Sequence, residues 1–160
     1  MVILLMGVTG SGKTTVGQAL AESLHWQFVD ADDFHSPSNV DKMRAGIPLD
    51  DADRAPWLAT LRTHIVEWLK SEANVVLGCS ALKQAYRDQL VVSSDVRLVY
   101  LKGGSELIAA RLKKRHGHYM DPNLLPSQFA TLEEPRDALA VDVDASVDEI
   151  VGRIRTVLNL

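Results

Sequence analysis

The stretch GVTGSGKTTVG, residues 7 to 17, decides the fold. Gly7, Gly12, Lys13 and Thr14 satisfy the pattern G-x-x-x-x-G-K-[ST], with Thr9, Gly10, Ser11 and Thr15 completing the loop. An apolar run, Val2 to Val8, leads into it, and a helical pattern from Lys13 to Leu24 leads out. That strand–loop–helix context is what a phosphate-binding loop requires. Glycines let several backbone N–H groups curl around one anion, and the helix N-terminus adds partial positive charge. In such a loop Lys13 reaches the β- and γ-phosphates and the Thr14 hydroxyl ligates Mg²⁺. The stretch therefore announces a nucleoside triphosphate, but motors, switches and kinases all share it.

Working outward, four further apolar runs alternate with helical patterns. The runs are Trp26 to Asp30, Asn74 to Ser80, Val96 to Lys102 and Ala138 to Asp144. They are nearly continuous and rich in β-branched residues, so they read as parallel strands buried on both faces. The helical stretches are Asp53 to Glu72, Ser105 to Arg115 and Val147 to Leu158, the first carrying Trp57, Leu61, Ile65 and Trp68 at three- and four-residue spacing. Alternation of this kind predicts an α/β fold with helices on both faces of the sheet. Two polar, turn-rich segments, residues 31–52 and 116–135, break the alternation. Long excursions from a compact scaffold tend to carry function.

The bulk numbers agree with one globular domain spanning residues 1–160. Of 160 residues, 46% are hydrophobic and 24% charged, so a core of useful size forms. A net charge of −4 gives nucleic acid no electrostatic support. No apolar run approaches the length of a membrane helix. The single cysteine, Cys79, cannot close an internal disulfide and suits a reducing compartment, so the expected location is cytoplasmic. Cys79 itself reads as a small buried residue.

Strand ends choose among the uses of the loop. A switch or motor places an aspartate at the end of a second apolar strand to organise Mg²⁺. Here NVVLGCS ends in Gly-Cys-Ser and VRLVYLK ends in lysine, whereas WQFVDADD delivers Asp30, Asp32 and Asp33. Neither D-x-x-G nor N-K-x-D occurs. Asp30 and Asp32, two residues apart, fall at the carboxyl end of a strand, where open α/β sheets bind ligands. One carboxylate suits Mg²⁺ and its water, and the other suits an acceptor hydroxyl. A kinase also excludes water with a lid that bears arginine. Residues 116–135 fit such a lid, and Arg111 and Arg115 lie four apart on the helix that enters it.

The acceptor is expected in the segment around residues 31–57, which holds His35, Asn39, Lys42, Arg54 and Trp57. Arg54 and Arg87 are the guanidinium candidates for an anionic acceptor, with Ser80 and Lys83 toward the same rim. Trp57 and Trp68 read as core. His116 and His118 lack a nearby third ligand, which argues against zinc.

These residues together resemble the gluconokinases, a family of P-loop small-molecule kinases. The resemblance rests on GVTGSGKTT, on DADDFHSPSNVDKMRAGIPLDDADRAPWL, on CSALKQAYRDQL, on RLKKRHGHYMDPNLLPSQFATLEEP and on ALAVDVDASVDEIVGRI. It spans essentially the whole chain, and the second and fourth stretches are long and unusual. It implies a five-stranded parallel sheet in the order 2-3-1-4-5, as in nucleoside monophosphate and shikimate kinases. It also implies phosphorylation of D-gluconate at its 6-hydroxyl by ATP and Mg²⁺, with a related kinase for shikimate or another small hydroxy acid as the runner-up. A nucleotide-binding module without turnover stands as the non-enzymatic alternative. By the same resemblance Lys13 and Thr14 hold phosphates and Mg²⁺, and Asp32 is the acceptor-side base. Arg54 and Arg87 grip the acceptor, Arg111 lies against adenine, and Arg115 lies against the transferring phosphate. Asp30 is left as the metal-side carboxylate, and His35 as a substrate contact. Homodimers are common in the family.

Overall fold

In the computed structural model, which describes residues 1–115 and 122–160, five parallel strands form one sheet. They are β1 (Val2–Met6), β2 (Gln27–Asp30), β3 (Val75–Gly78), β4 (Val96–Lys102) and β5 (Leu139–Asp142). Their order is β2-β3-β1-β4-β5, as expected. β1 sits at the centre, with Val2 opposite Val75 on one side and Val96 on the other.

Side chains alternate across a strand, and β1 shows what that does to the core. Ile3 and Leu5 join Val16, Leu20, Ile108, Ile150 and Ile154 on one face. Val2, Leu4 and Met6 join Trp57, Leu58, Leu61, Ile65 and Leu90 on the other. The first face is covered by α1 (Lys13–Leu24), α5 (Ser105–Lys113) and α7 (Val147–Leu158). The second is covered by α3 (Asp51–Lys70) and α4 (Gln84–Leu90). All five β1 residues are fully buried, so a continuous apolar run is what this strand needs.

The edges differ from the expectation of strands buried on both faces. Gln27 in β2 and Asp142 in β5 are exposed, because an edge strand lacks a neighbour on one side. Strands also end earlier than the apolar runs do. β1 stops at Met6 and β3 at Gly78, since the chain must leave the sheet to build the loops above it.

The polar segments fold rather than remain loops. Residues Ala31–Phe34 make a 3₁₀ turn, and α2 (Pro37–Arg44) follows. Ser36 caps α2 by accepting from the Asn39 N–H, and Pro37 occupies the first turn where no N–H is needed. α3 begins two residues before the expected Asp53, because Asp50 and Asp53 form a reciprocal capping box. In the second segment a 3₁₀ turn (Pro122–Leu124) runs into α6 (Leu125–Thr131). α5 ends at Lys113, with Lys114 as its cap, so Arg115 lies just beyond the helix that was expected to contain it.

Candidate active site

The phosphate loop springs from the end of β1 and closes onto α1. Gly7 is essential to the close approach: a Cβ there would lie 2.6 Å from Ser11 Oγ and 2.9 Å from the Leu101 carbonyl. Gly12 caps α1 at φ 102°, a conformation that L side chains resist. It offers no side-chain cap, so the first-turn amides of α1 are left to a ligand. Among the described residues, the buried Ser11 Oγ of the loop has no hydrogen-bond partner. Lys13 Nζ donates to the Gly7 and Val8 carbonyls, each at 2.9 Å. Burial pushes this ammonium below its usual range, while the Asp32 and Asp30 charges push back. The loop thus holds a buried cation on two backbone carbonyls, and an incoming polyanion relieves the cost of its burial.

Facing Lys13 is the end of β2. Asp30 Oδ1 accepts the Asp32 N–H at 2.9 Å, and Asp30 Oδ2 lies 3.5 Å from Thr14 Oγ1. Burial, followed by the neighbouring Asp32 charge, raises Asp30 above the ordinary carboxylate range. A hard divalent cation between Thr14 and Asp30 would remove that penalty. This oxygen pair fits Mg²⁺, which takes one or two protein ligands and fills its octahedron with water and phosphate oxygens. Among the described residues no cluster of three or more His, Cys, Asp or Glu side chains could hold a metal alone. His116 and His118, with the other residues of 116–121 at the start of the expected lid, lie outside the described residues.

Three adjoining cavities run across the carboxyl edge of the sheet. The central one is lined by Thr9, Gly10, Gly12, Lys13, Thr14, Asp30, Asp32, Ser80 and Arg115, with Gln128. On one side Gly10, Gly12 and Arg115 are shared with a cavity bounded by Ser11, Thr15, Arg111, Val143 and Val147. Arg111 is anchored there by donating to the Val143 carbonyl at 2.6 Å. On the other side Asp32, Ser80 and Gln128 are shared with a cavity lined by His35, Arg54, Trp57, Ser127 and Thr131, the acceptor chamber of the sequence-based expectation. Asp32 therefore stands at the junction of two chambers.

Two expected acceptor contacts fall elsewhere. Arg87 is 2% exposed, and its guanidinium donates to the carbonyls of Ala81, Leu82 and Glu133 and to Gln84 Oε1. It staples the start of α4 to the chain after α6 and does not line the acceptor chamber. Lys83 pairs with Asp51 at 3.0 Å and lies over the Tyr86 ring, also outside that chamber. Arg54 does line it, held by donating to the Leu49 carbonyl at 2.7 Å and the Tyr86 hydroxyl at 3.2 Å. Tyr86 in turn donates to Asp51. Trp57 belongs to both core and site: it is 4% exposed, its indole N–H bonds the Ala31 carbonyl, and its ring borders the acceptor chamber. Cys79 is buried, as expected, and its thiol is pushed up to about 12 by burial.

Sequence reasoning missed Gln128. Its Oε1 accepts the Thr9 N–H of the phosphate loop at 2.7 Å, and its side chain borders both chambers. The polar composition of residues 116–135 marked the segment, but nothing local singled out this residue.

A parallel sheet in this order, with a phosphate loop leaving its central strand and an aspartate across from the lysine, defines a P-loop kinase. A family model described as an AAA domain matches residues 2–137. A probable gluconokinase of Dictyostelium discoideum is 45% identical over 96% of this chain and 84% of its own length. An unliganded sugar kinase from Janibacter superposes with a TM-score of 0.91 at 39% identity, covering 99% of this chain and 94% of that one. A gluconokinase from Sinorhizobium meliloti does so with a TM-score of 0.82 at 42% identity, covering 98% and 94%. The chain belongs to the gluconokinase family. A shikimate kinase from Aquifex aeolicus, 20% identical, shares only the fold.

Proposed function

We propose that this protein transfers the γ-phosphoryl group of ATP to the 6-hydroxyl of D-gluconate. The observation that carries the reading is the place of Asp32, which borders the phosphate chamber and the acceptor chamber at once. Membership of the gluconokinase family supplies the acceptor's identity.

In this reading the loop amides and Lys13 bind the phosphates, and the cavity beside Arg111 takes the nucleoside. Thr14 and Asp30 would hold Mg²⁺, which when bound neutralises phosphate charge. Arg54 and His35 hold the acceptor, with Ser80 at the shared rim. Asp32 orients the acceptor hydroxyl and takes its proton. Arg115 lies on the phosphate side and balances negative charge as it builds on the transferred group. Phosphoryl transfer asks little covalent chemistry of a protein, so catalysis here is positioning and charge neutralisation. α6 brings Gln128 over the junction and helps keep water out, which a kinase needs if ATP is not to be hydrolysed.

No helix of the described residues is long and apolar enough to cross a membrane, and a cytoplasmic site of action is part of the proposal. A homodimer is the expected assembly from the family resemblance, and light scattering on the purified chain tests it.

Acceptor profiling tests the function. ADP release should depend on gluconate and stay at background with shikimate or nucleoside monophosphates. If gluconate were inert in such a panel, the substrate assignment would be lost. ATP binding without turnover on any acceptor would favour a pure nucleotide-binding module instead.

A further inference from the structure

His35 stands beside the proposed base, and its surroundings dictate which nitrogen carries its proton. The imidazole is 4% exposed and stacks on Trp57, with ring centroids 4.2 Å apart and planes 13° from parallel. Trp57 is itself held by its bond to the Ala31 carbonyl. The ring is therefore fixed in plane, and its two nitrogens face different neighbours.

One neighbour is Asn39, a buried residue of α2. Its Nδ2 donates to the Asp53 carbonyl at 2.9 Å. A carbonyl only accepts, so the amide orientation is set. The same Nδ2 lies 3.3 Å from His35 Nδ1 and has a second hydrogen to give. His35 Nδ1 must then be the acceptor, and the ring proton resides on Nε2. Nε2 lies 3.7 Å from Asp32 Oδ1, inside the acceptor chamber.

We propose that Asn39 is a positioning residue which locks His35 as the Nε2–H tautomer, so that the acceptor chamber holds a permanent hydrogen-bond donor beside the carboxylate of Asp32. This deepens the proposed kinase reading and rests on its role for Asp32. A polyol hydroxyl needs both an acceptor for its proton and a donor for its oxygen. Asp32 supplies the first and His35 Nε2–H the second. Because Nδ1 is occupied, His35 cannot take the proton that Asp32 receives without setting its new N–H against the Asn39 amide. The charged groups facing the ring are Asp32, which favours the imidazolium, and Arg54, which opposes it; burial is the largest influence and acts with Arg54 against Asp32, holding the imidazole below its usual pKa.

Nitrogen NMR on the ¹⁵N-histidine-labelled full chain reads the tautomer directly, with the His35 signal assigned by its loss in His35→Gln. The expected spectrum at neutral pH has a protonated Nε2 and a bare Nδ1 nitrogen. Asn39→Asp should move the proton to Nδ1. A wild-type Nδ1–H tautomer or an imidazolium would overturn the proposal.

Turnover supplies the second arm, with ATP binding as the check that each variant folds. A glutamine amide nitrogen reaches the place of Nε2, whereas an asparagine amide nitrogen reaches only the place of Nδ1. His35→Gln should stay within about tenfold of wild-type kcat, and His35→Asn should lose about 100-fold or more, the usual scale for removing one donor aimed at a reacting group. Equal losses in the two variants would also overturn the assignment. The NMR arm needs no acceptor, so a failure of gluconate as substrate is distinguishable from a failure of the tautomer lock.

Discussion

At the residue scale, Asp32 is the side chain on which the two chambers converge. Asp32→Asn keeps size and most hydrogen bonding but removes proton acceptance. Its kcat should fall by about 10²–10⁴-fold, the usual contribution of a positioned base, while ATP affinity stays near wild type. Single-turnover rates with titrated ATP measure both, and unchanged turnover would sink the role. A loss under tenfold would instead mark Asp32 as an orienting group. Gln128 makes the opposite kind of prediction. It ties α6 to the phosphate loop through the Thr9 N–H and touches both chambers. Gln128→Ala should raise ADP release without acceptor relative to release with gluconate, because the closure over the junction loosens. A ratio identical to wild type would show that the contact has no part in coupling the chambers.

At the scale of elements, the packing of α1 on β2 sets the gap between Lys13 and the two aspartates. Gly17 makes that approach possible: a Cβ there would lie 2.3 Å from Phe28 Cε2 and 3.3 Å from Leu5 Cδ1. In an exposed helix Gly→Ala gains about 1 kcal/mol of propensity. Here overpacking costs about 1–3 kcal/mol, and the Phe28 ring, planted in a strand, cannot withdraw as a flexible tip would. Overpacking wins, so Gly17→Ala should lower the denaturation midpoint and reduce turnover together. A variant as stable as wild type would contradict the packing argument. The start of α3 is a second such joint. Asp50 caps the helix, Asp53 binds Lys42 at 2.9 Å, and the Asp53 carbonyl holds Asn39. Asp50→Ala should cost about 1 kcal/mol of stability, the usual scale for a lost cap, and raise KM for the acceptor more than KM for ATP. Equal changes in the two constants would detach this cap from the acceptor side.

At the scale of the whole molecule, pH reports on groups buried neutral by the fold. Folding raises the Cys79 thiol from 9.0 and the Tyr100 phenol from 10.0, each to about 12, in both cases mainly by burial. Above its ordinary pKa the unfolded chain releases these protons while the folded chain keeps them. Stability is therefore whole below pH 9.0 and falls as pH rises toward about 12. Thermal melts across that window should decline, and Cys79→Ala should flatten the first part of the decline. An unchanged slope in that variant would remove the thiol from the account. On the acid side the sign reverses. Glu134 is held low first by Lys102 and then by Tyr100, and Glu149 is held low by the capping amide of Ser146. Their contributions are present at neutral pH and vanish as pH falls through their folded values.

How much of this was legible in the sequence follows from the range of the interactions involved. GVTGSGKTTVG and the alternation of apolar runs with helical periods are local patterns, and they determined the sheet, its parallel sense and the phosphate loop. The acidic end of WQFVDADD likewise placed Asp30 and Asp32 correctly, because a strand's end is a local feature. The family resemblance supplied the strand order and the acceptor. Only the tertiary structure decided which cations face the acceptor chamber. Arg54 and Arg87 look equivalent in sequence, yet one borders the chamber and the other is consumed by carbonyls at the foot of α4. The contacts that separate them join residues 46 and 32 positions apart, and no local pattern carries that information. Gln128 gained its place in the same way, through the Thr9 amide 119 positions away, whereas Asn39 meets His35 one helical turn back, and what fixes its amide is the Asp53 carbonyl 14 positions on.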